Sequence, residues 1–147
     1  MMRIVRSVEI AAPPEEVFGV VADLSTHPRW RPSVREFRTA GGEPPAAGSE
    51  IVEVVRFAGR DVRMRYRVTT FDRPRVLAAD YLEGPLEVAI RFECEPAGAG
   101  TRTTFICDTA RPRIARVLPF PFFGPLMGRY MDDELGNLKR LVETGEV

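Results

Sequence analysis

Few side chains in this sequence have the chemistry to act on a substrate. The only histidine, His27, and the only tryptophan, Trp30, stand together in HPRWRPSV, residues 27–34, between two prolines. A serine nucleophile would have to recruit His27 as its base, and no GxSxG stretch accompanies it. Cys94 and Cys107 lack ligand spacing with His27, so no metal is expected. GGEPPAAG, residues 41–48, carries two prolines and no Lys or Ser in P-loop order, so no phosphate-cradling loop and no cofactor is expected either. What is left is acid/base work by Glu53, Tyr66, Tyr81, Asp80 or His27, on a substrate that brings most of its own reactivity. No spacing signal singles out one of these five.

The elements that must position them follow from periodicity. Ile4, Val8 and Ile10 share one face of a first strand. AAPPEEVFGVVADL, 11–24, reads as a helix: prolines where no amide donor is needed, Glu15 and Glu16 at the positive end of the dipole, and Val17, Val20, Val21 and Leu24 at helical spacing. STHPRWRPSV, 25–34, reads as a short helical turn broken by Pro28 and Pro32, with His27 a surface or capping residue. From Val34 to about Thr109, six apolar-rich runs are separated by turns such as FAGRD, EGP and PAGAG. Beyond Pro112 the period becomes helical, and Met127, Met131, Leu135, Leu138 and Val142 form one stripe. Met127, Met131, Leu138 and Val142 are therefore expected to face the sheet, with Arg129, Asp132, Lys139 and Arg140 in water. Seven hairpin-linked antiparallel strands need cover for their apolar face, and only the last helix is long enough to give it.

Register then places the chemistry. The FAGRD turn puts Ile51, Glu53, Val55 and Phe57 on the same face as Val62, Met64, Tyr66 and Val68. A carboxylate among such neighbours is costly unless hydrogen-bonded, and Tyr66 stands at about its level on the adjacent strand. Glu53 is either this buried polar anchor or a solvated residue near a strand end. In the last hairpin Leu86, Val88, Ile90, Phe92 and Cys94 share a face with Thr103, Phe105 and Cys107, setting Phe92 beside Phe105 and Ile90 beside Cys107. Cys94 and Cys107 are then about four residues apart along the ladder, roughly 13 Å, beyond the reach of a disulfide. Both are expected to be small core residues.

Composition limits the partners. The 21 basic and 21 acidic side chains of the 147 residues cancel, so no overall field draws the chain to nucleic acid. Arg63, Arg65 and Arg67 share the outward face of one strand with Arg56 and Arg60 nearby, but no aromatic residues interleave them, and Glu87, Glu93 and Glu95 occupy an outward face too. A solvated, charge-paired surface is expected, and no nucleic-acid partner. MMRIVRSVEI lacks the apolar core of a signal peptide and no apolar run approaches the ~20 residues that span a bilayer, so a cytoplasmic protein is expected.

SVEIAAPPEEVFGVVADLSTHPRW (7–30), GTRTTF (100–105) and the terminal helix resemble the START/Bet v 1-like superfamily, more narrowly its SRPBCC, polyketide cyclase/dehydrase-like members. The resemblance covers almost the whole chain and implies one domain over residues 1–147. It implies an α+β helix-grip fold: a seven-stranded curved antiparallel sheet around a long C-terminal helix, two short helices after the first strand, and a deep apolar cavity. The superfamily's functions range from lipid carriers through aromatic polyketide cyclases to plant hormone receptors, so no single reaction is implied. Trp30 would wedge between the helical pair and the sheet or rim the cavity mouth. With alternation along the strands, the expected lining is Trp30, Glu53, Val55, Met64, Tyr66, Tyr81, Phe92, Phe105, Met127 and Met131, with Glu53 and Tyr66 as the candidate catalytic pair.

Three functions stay open. The favoured one is binding of an apolar or amphipathic small molecule, lipid or polyketide-like. The second is a cyclase or dehydratase working without metal or nucleotide cofactor. The third is an accessory protein that meets a membrane or protein partner through Phe120, Phe122 and Phe123 of RPRIARVLPFPFFGPLMGR, 111–129, a stretch that otherwise reads as a gate or core cover.

Overall fold

A computed structural model describes residues 2–57, 59–110 and 123–146. Strand β1 (Met2–Ile10) leads into helix α1 (Pro14–Ala22), a 3-10 turn (Leu24–Thr26) and the one-turn helix α2 (His27–Trp30). Six strands follow: β2 (Val34–Thr39), β3 (Glu50–Phe57), β4 (Arg60–Asp72), β5 (Val76–Glu83), β6 (Val88–Ala97) and β7 (Gly100–Thr109). Helix α3 (Phe123–Thr144) ends the described chain. The strands form one antiparallel sheet in the order β1-β7-β6-β5-β4-β3-β2. This is the helix-grip α+β architecture expected from the sequence.

The two registers derived from the hairpins hold. Phe57 pairs with Arg60, so two residues turn the chain, and Gly59 supplies the φ of 77° that such a turn needs. Glu53 stands across from Met64 and Ile51 from Tyr66. Phe92 pairs with Phe105, Ile90 with Cys107 and Cys94 with Thr103. Irregularities in the β4–β5 ladder, between Arg65 and Tyr66 and again between Val68 and Thr70, add the local bending that a sheet needs to close around a helix.

Cys94 and Cys107 are both buried and unpaired. Burial pushes the Cys94 thiol up to about 11 and the Cys107 thiol up to about 12. The thiolate is the reactive species, so the native protein should label with a thiol reagent far more slowly than after denaturation, when two thiols should titrate. Fast labelling of the native chain would show that the last hairpin opens readily.

Several expectations need correction. Pro28 does not break the segment after α1; it occupies the first turn of α2, where its missing N–H costs nothing, and the break falls at Arg31. His27 is not a surface residue but fully buried. Phe57 lies at the hairpin end and is exposed rather than part of the inner face. Three of the outer arginines are charge-paired, but not with Glu87, Glu93 or Glu95: Arg56 meets Asp61 at 3.7 Å, and because β4 is flanked by β3 and β5, Arg65 and Arg67 both reach Glu50 on β3, at 2.5 and 3.2 Å. On α3, Met131, Leu135 and Leu138 are buried and Met127 and Val142 partly so, while Arg129, Asp132 and Arg140 are exposed. Lys139 is half-buried, because its ammonium donates to the Glu9 carbonyl at 2.7 Å and pairs with Glu143 at 2.8 Å, tying the end of α3 to β1.

Candidate functional site

The interior between sheet and α3 contains a charged group that no single element would reveal. Arg31, the residue that ends α2, is 6% exposed, and its guanidinium sits between two carboxylates. Its Nη1 is 3.0 Å from Glu53 Oε2 on β3, and its Nε donates to Glu134 Oε2 on α3 at 3.3 Å. Tyr66, one step diagonally along β4, donates its hydroxyl to Glu53 Oε1 at 2.9 Å. Glu53 is 3% exposed and Glu134 6%. A carboxylate or guanidinium buried alone would be driven to neutralise, so these charges persist only because they face one another.

His27 completes the group from behind. Its Nε2 lies 2.8 Å from the Val21 carbonyl, which can only accept, so Nε2 carries the proton and Nδ1 is left to accept from Arg31 Nη1 at 3.3 Å. Burial, reinforced by the Arg31 charge, holds the His27 pKa well below the usual histidine range, and the ring is neutral. It stacks on Phe37 with centroids 4.2 Å apart and lies 4.6 Å from Trp30. The guanidinium of Arg31 lies 5.3 Å from the Phe37 centroid and 6.0 Å from that of Phe105, within cation–π range. Trp30, fully buried, meets Phe92 edge-on at 5.9 Å, and Phe92 meets Phe105 at 4.2 Å.

The electrostatics follow from this packing. Burial alone would lower the Arg31 pKa, but Glu134 and Glu53 outweigh it and the net shift is upward, so the guanidinium stays charged. Tyr66 is pushed well above the usual phenol range, by burial first and then by the Glu53 carboxylate, and it remains a proton donor. Glu134 is raised by burial, with Arg31 opposing and Glu53 adding to the rise. Chemically the set offers one fixed cation, two carboxylates and a protonated phenol in a desolvated space. Among the described residues no group of three His, Cys, Asp or Glu side chains is arranged to hold a metal ion.

Most of the residues read from sequence come to this interior. Glu53, Tyr66, Met64, Trp30, Phe92, Phe105 and Met131 are buried there, and Val55, Tyr81 and Met127 pack at its edge. Tyr81 pairs with Tyr66 across the β4–β5 ladder, and its hydroxyl donates to the Gly84 carbonyl at 2.7 Å, away from Glu53. Asp80 is exposed on the other face. Phe123 is buried, so it is not part of an exposed docking patch, and Phe120 and Phe122 lie outside the described residues. No described helix is long and apolar enough to cross a membrane. Two recesses lie elsewhere on the described residues: one of about 500 Å³ bordered by Pro14, Arg75, Glu93 and Glu95, and one of about 260 Å³ by Arg63, Arg65 and Glu83.

Arg31 and Glu134 were not among the candidates, and a signal for Glu134 was available. Met127, Met131, Glu134, Leu138 and Leu141 follow one another at intervals of four, three, four and three, so a glutamate occupies the middle of the buried stripe. Arg31 had no such signal, because nothing periodic survives between Pro28 and Pro32.

Known proteins place this architecture. The family described as polyketide cyclase / dehydrase and lipid transport matches residues 1–143. The chain belongs to that family. Three solved structures share its fold. An aromatase/cyclase from a Streptomyces species superposes with a TM-score of 0.81 at 19% identity, over 99% of each chain. A START superfamily protein from Mycobacterium smegmatis gives 0.75 at 21% identity over 96% of this chain and 97% of the other. A protein from Thermus thermophilus gives 0.82 at 19% identity over 99% and 100%. No curated protein matches the sequence.

Proposed function

We propose that this polyketide cyclase/dehydrase and lipid transport family member binds an apolar or amphipathic small molecule, lipid or polyketide-like, between the concave face of the sheet and α3. One observation carries the reading: Arg31, Glu53, Tyr66 and Glu134 converge from α2, the sheet and α3 inside an otherwise apolar interior. Small-molecule sites are built this way, as mostly apolar walls with a few placed polar groups that set orientation. Trp30, Phe92 and Phe105 form a rigid wall, and Met64, Met127 and Met131 are the adaptable side chains that yield space. The family's description, with lipid transport in it, and the likeness to an aromatase/cyclase support the same reading.

Native mass spectrometry of the freshly purified protein, with solvent extraction of whatever co-purifies, tests it directly. Val55 is half-buried across from Val62, and Arg65 points outward to Glu50. Val55→Trp should fill the space and abolish uptake of the neutral dye Nile red while the fold persists, and Arg65→Glu should leave uptake unchanged. Loss of uptake in the outer variant and none in the inner one would place binding elsewhere.

The 2.9 Å hydrogen bond from Tyr66 to Glu53 favours a second reading, a cyclase or dehydratase. Glu53 would take a proton from a carbon beside a carbonyl, and Tyr66, held protonated, would give one to the oxygen. Glu53→Gln tests the second reading: an enzyme should lose turnover far beyond any change in binding, whereas a carrier has no turnover to lose.

A further inference from the structure

The charges of the buried group do not balance, and the imbalance has a sign. Among the described residues Arg31 is the one cation of the group, Glu53 and Glu134 are its two carboxylates, and His27 is neutral. Tyr66 donates its hydroxyl to Glu53 Oε1, His27 its Nε2–H to the Val21 carbonyl, and Arg31 its Nε–H to Glu134 and an Nη1–H to His27 Nδ1. Glu53 Oε2 is fully buried and forms an ion pair with Arg31 Nη1 at 3.0 Å, but it accepts no hydrogen bond among the described residues. The unmet capacity at this point is an acceptor beside excess negative charge.

We infer that the molecule bound between the sheet and α3 carries at its polar end a hydrogen-bond donor without negative charge, a hydroxyl or an ammonium group, and not a carboxylate or phosphate. The inference rests on the binding role proposed above and names the class of ligand for that site. A hydroxyl or ammonium gives Glu53 Oε2 the donor it lacks, and leaving a buried carboxylate oxygen unmet costs more than leaving a neutral acceptor so. A carboxylate would be a third anion around one guanidinium in a desolvated space, where like charges repel strongly.

Three probes with one apolar body test this: naphthalen-2-ol, naphthalen-2-ylmethylammonium and 2-naphthoate, titrated calorimetrically into the full chain at pH 7.5, with naphthalene as the uncharged control. The alcohol and the ammonium should each bind roughly tenfold or more tighter than the carboxylate. The double variant Glu53→Gln/Glu134→Gln, which leaves Arg31 as the one charge of the group among the described residues, should reverse the order in favour of 2-naphthoate. If that variant does not fold, the order in the native protein still decides. Binding of 2-naphthoate as tight as the alcohol overturns the inference and leaves the binding role standing. Failure of all four compounds to bind overturns the binding role, and the inference falls with it. A folded double variant that keeps the native order shows that these carboxylates do not set the preference.

Discussion

Arg31→Met should destabilise the protein by about 3–5 kcal/mol at neutral pH, the usual cost of removing one partner from a buried ion pair. The loss comes less from the missing attraction than from what remains, two carboxylates buried near one another with no cation between them. The variant's pH dependence identifies the cause. Without Arg31, which opposes the rise that burial causes, the Glu134 carboxyl is held further above the unfolded ~4.3, so the native state binds more protons than the unfolded one. Stability is then regained as pH falls from neutral toward the unfolded value, and the deficit should shrink over that range. Arg31→Met/Glu53→Gln/Glu134→Gln should recover most of the loss at pH 7, because an uncharged set of similar shape has no stranded charge. Urea unfolding of the three proteins across this pH range measures it. A deficit that does not change with pH would show that Arg31 acts through packing against Phe37 and Phe105 alone.

Phe92→Ala should cost a further large amount in its own right, about 3–5 kcal/mol. Phe92 is fully buried on β6 and holds together three aromatic partners that arrive from separate elements: Trp30 and His27 from α2, and Phe105 from β7. Deleting the ring leaves a void that α2 can only partly fill, since Asn137 on α3 donates to the Trp30 carbonyl at 3.2 Å and keeps the helix in place. The same variant should enlarge the interior beside Trp30 and increase Nile red uptake. Chemical denaturation gives the first effect and dye titration the second; a loss under about 1 kcal/mol would mean that the aromatic group collapses without cost.

The two effects differ in how they could be read. Phe92 was visible in advance because a hairpin has only two faces, and PAGAG fixes which residues share one. Glu53 and Tyr66 came from the same argument applied to FAGRD, and their hydrogen bond is the diagonal contact that register allows. Local rules of this kind act over one turn and two strands, where covalent connection leaves little freedom.

Arg31, Glu134 and the burial of His27 come from a different scale. The sequence by itself determined the strand order along the chain, the inner faces of both hairpins, the amphipathic last helix, the separation of the two thiols and a polar pair in an apolar setting. Only the tertiary structure decided that the sheet bends far enough for β3, next to one edge, to bring Glu53 to within reach of a helix lying along β1 at the other. That approach depends on bulges and twist accumulated over seven strands, which no periodicity records. A charge is placed in an interior by what faces it, and the carboxylates that stabilise Arg31 lie 22 and 103 residues further along the chain.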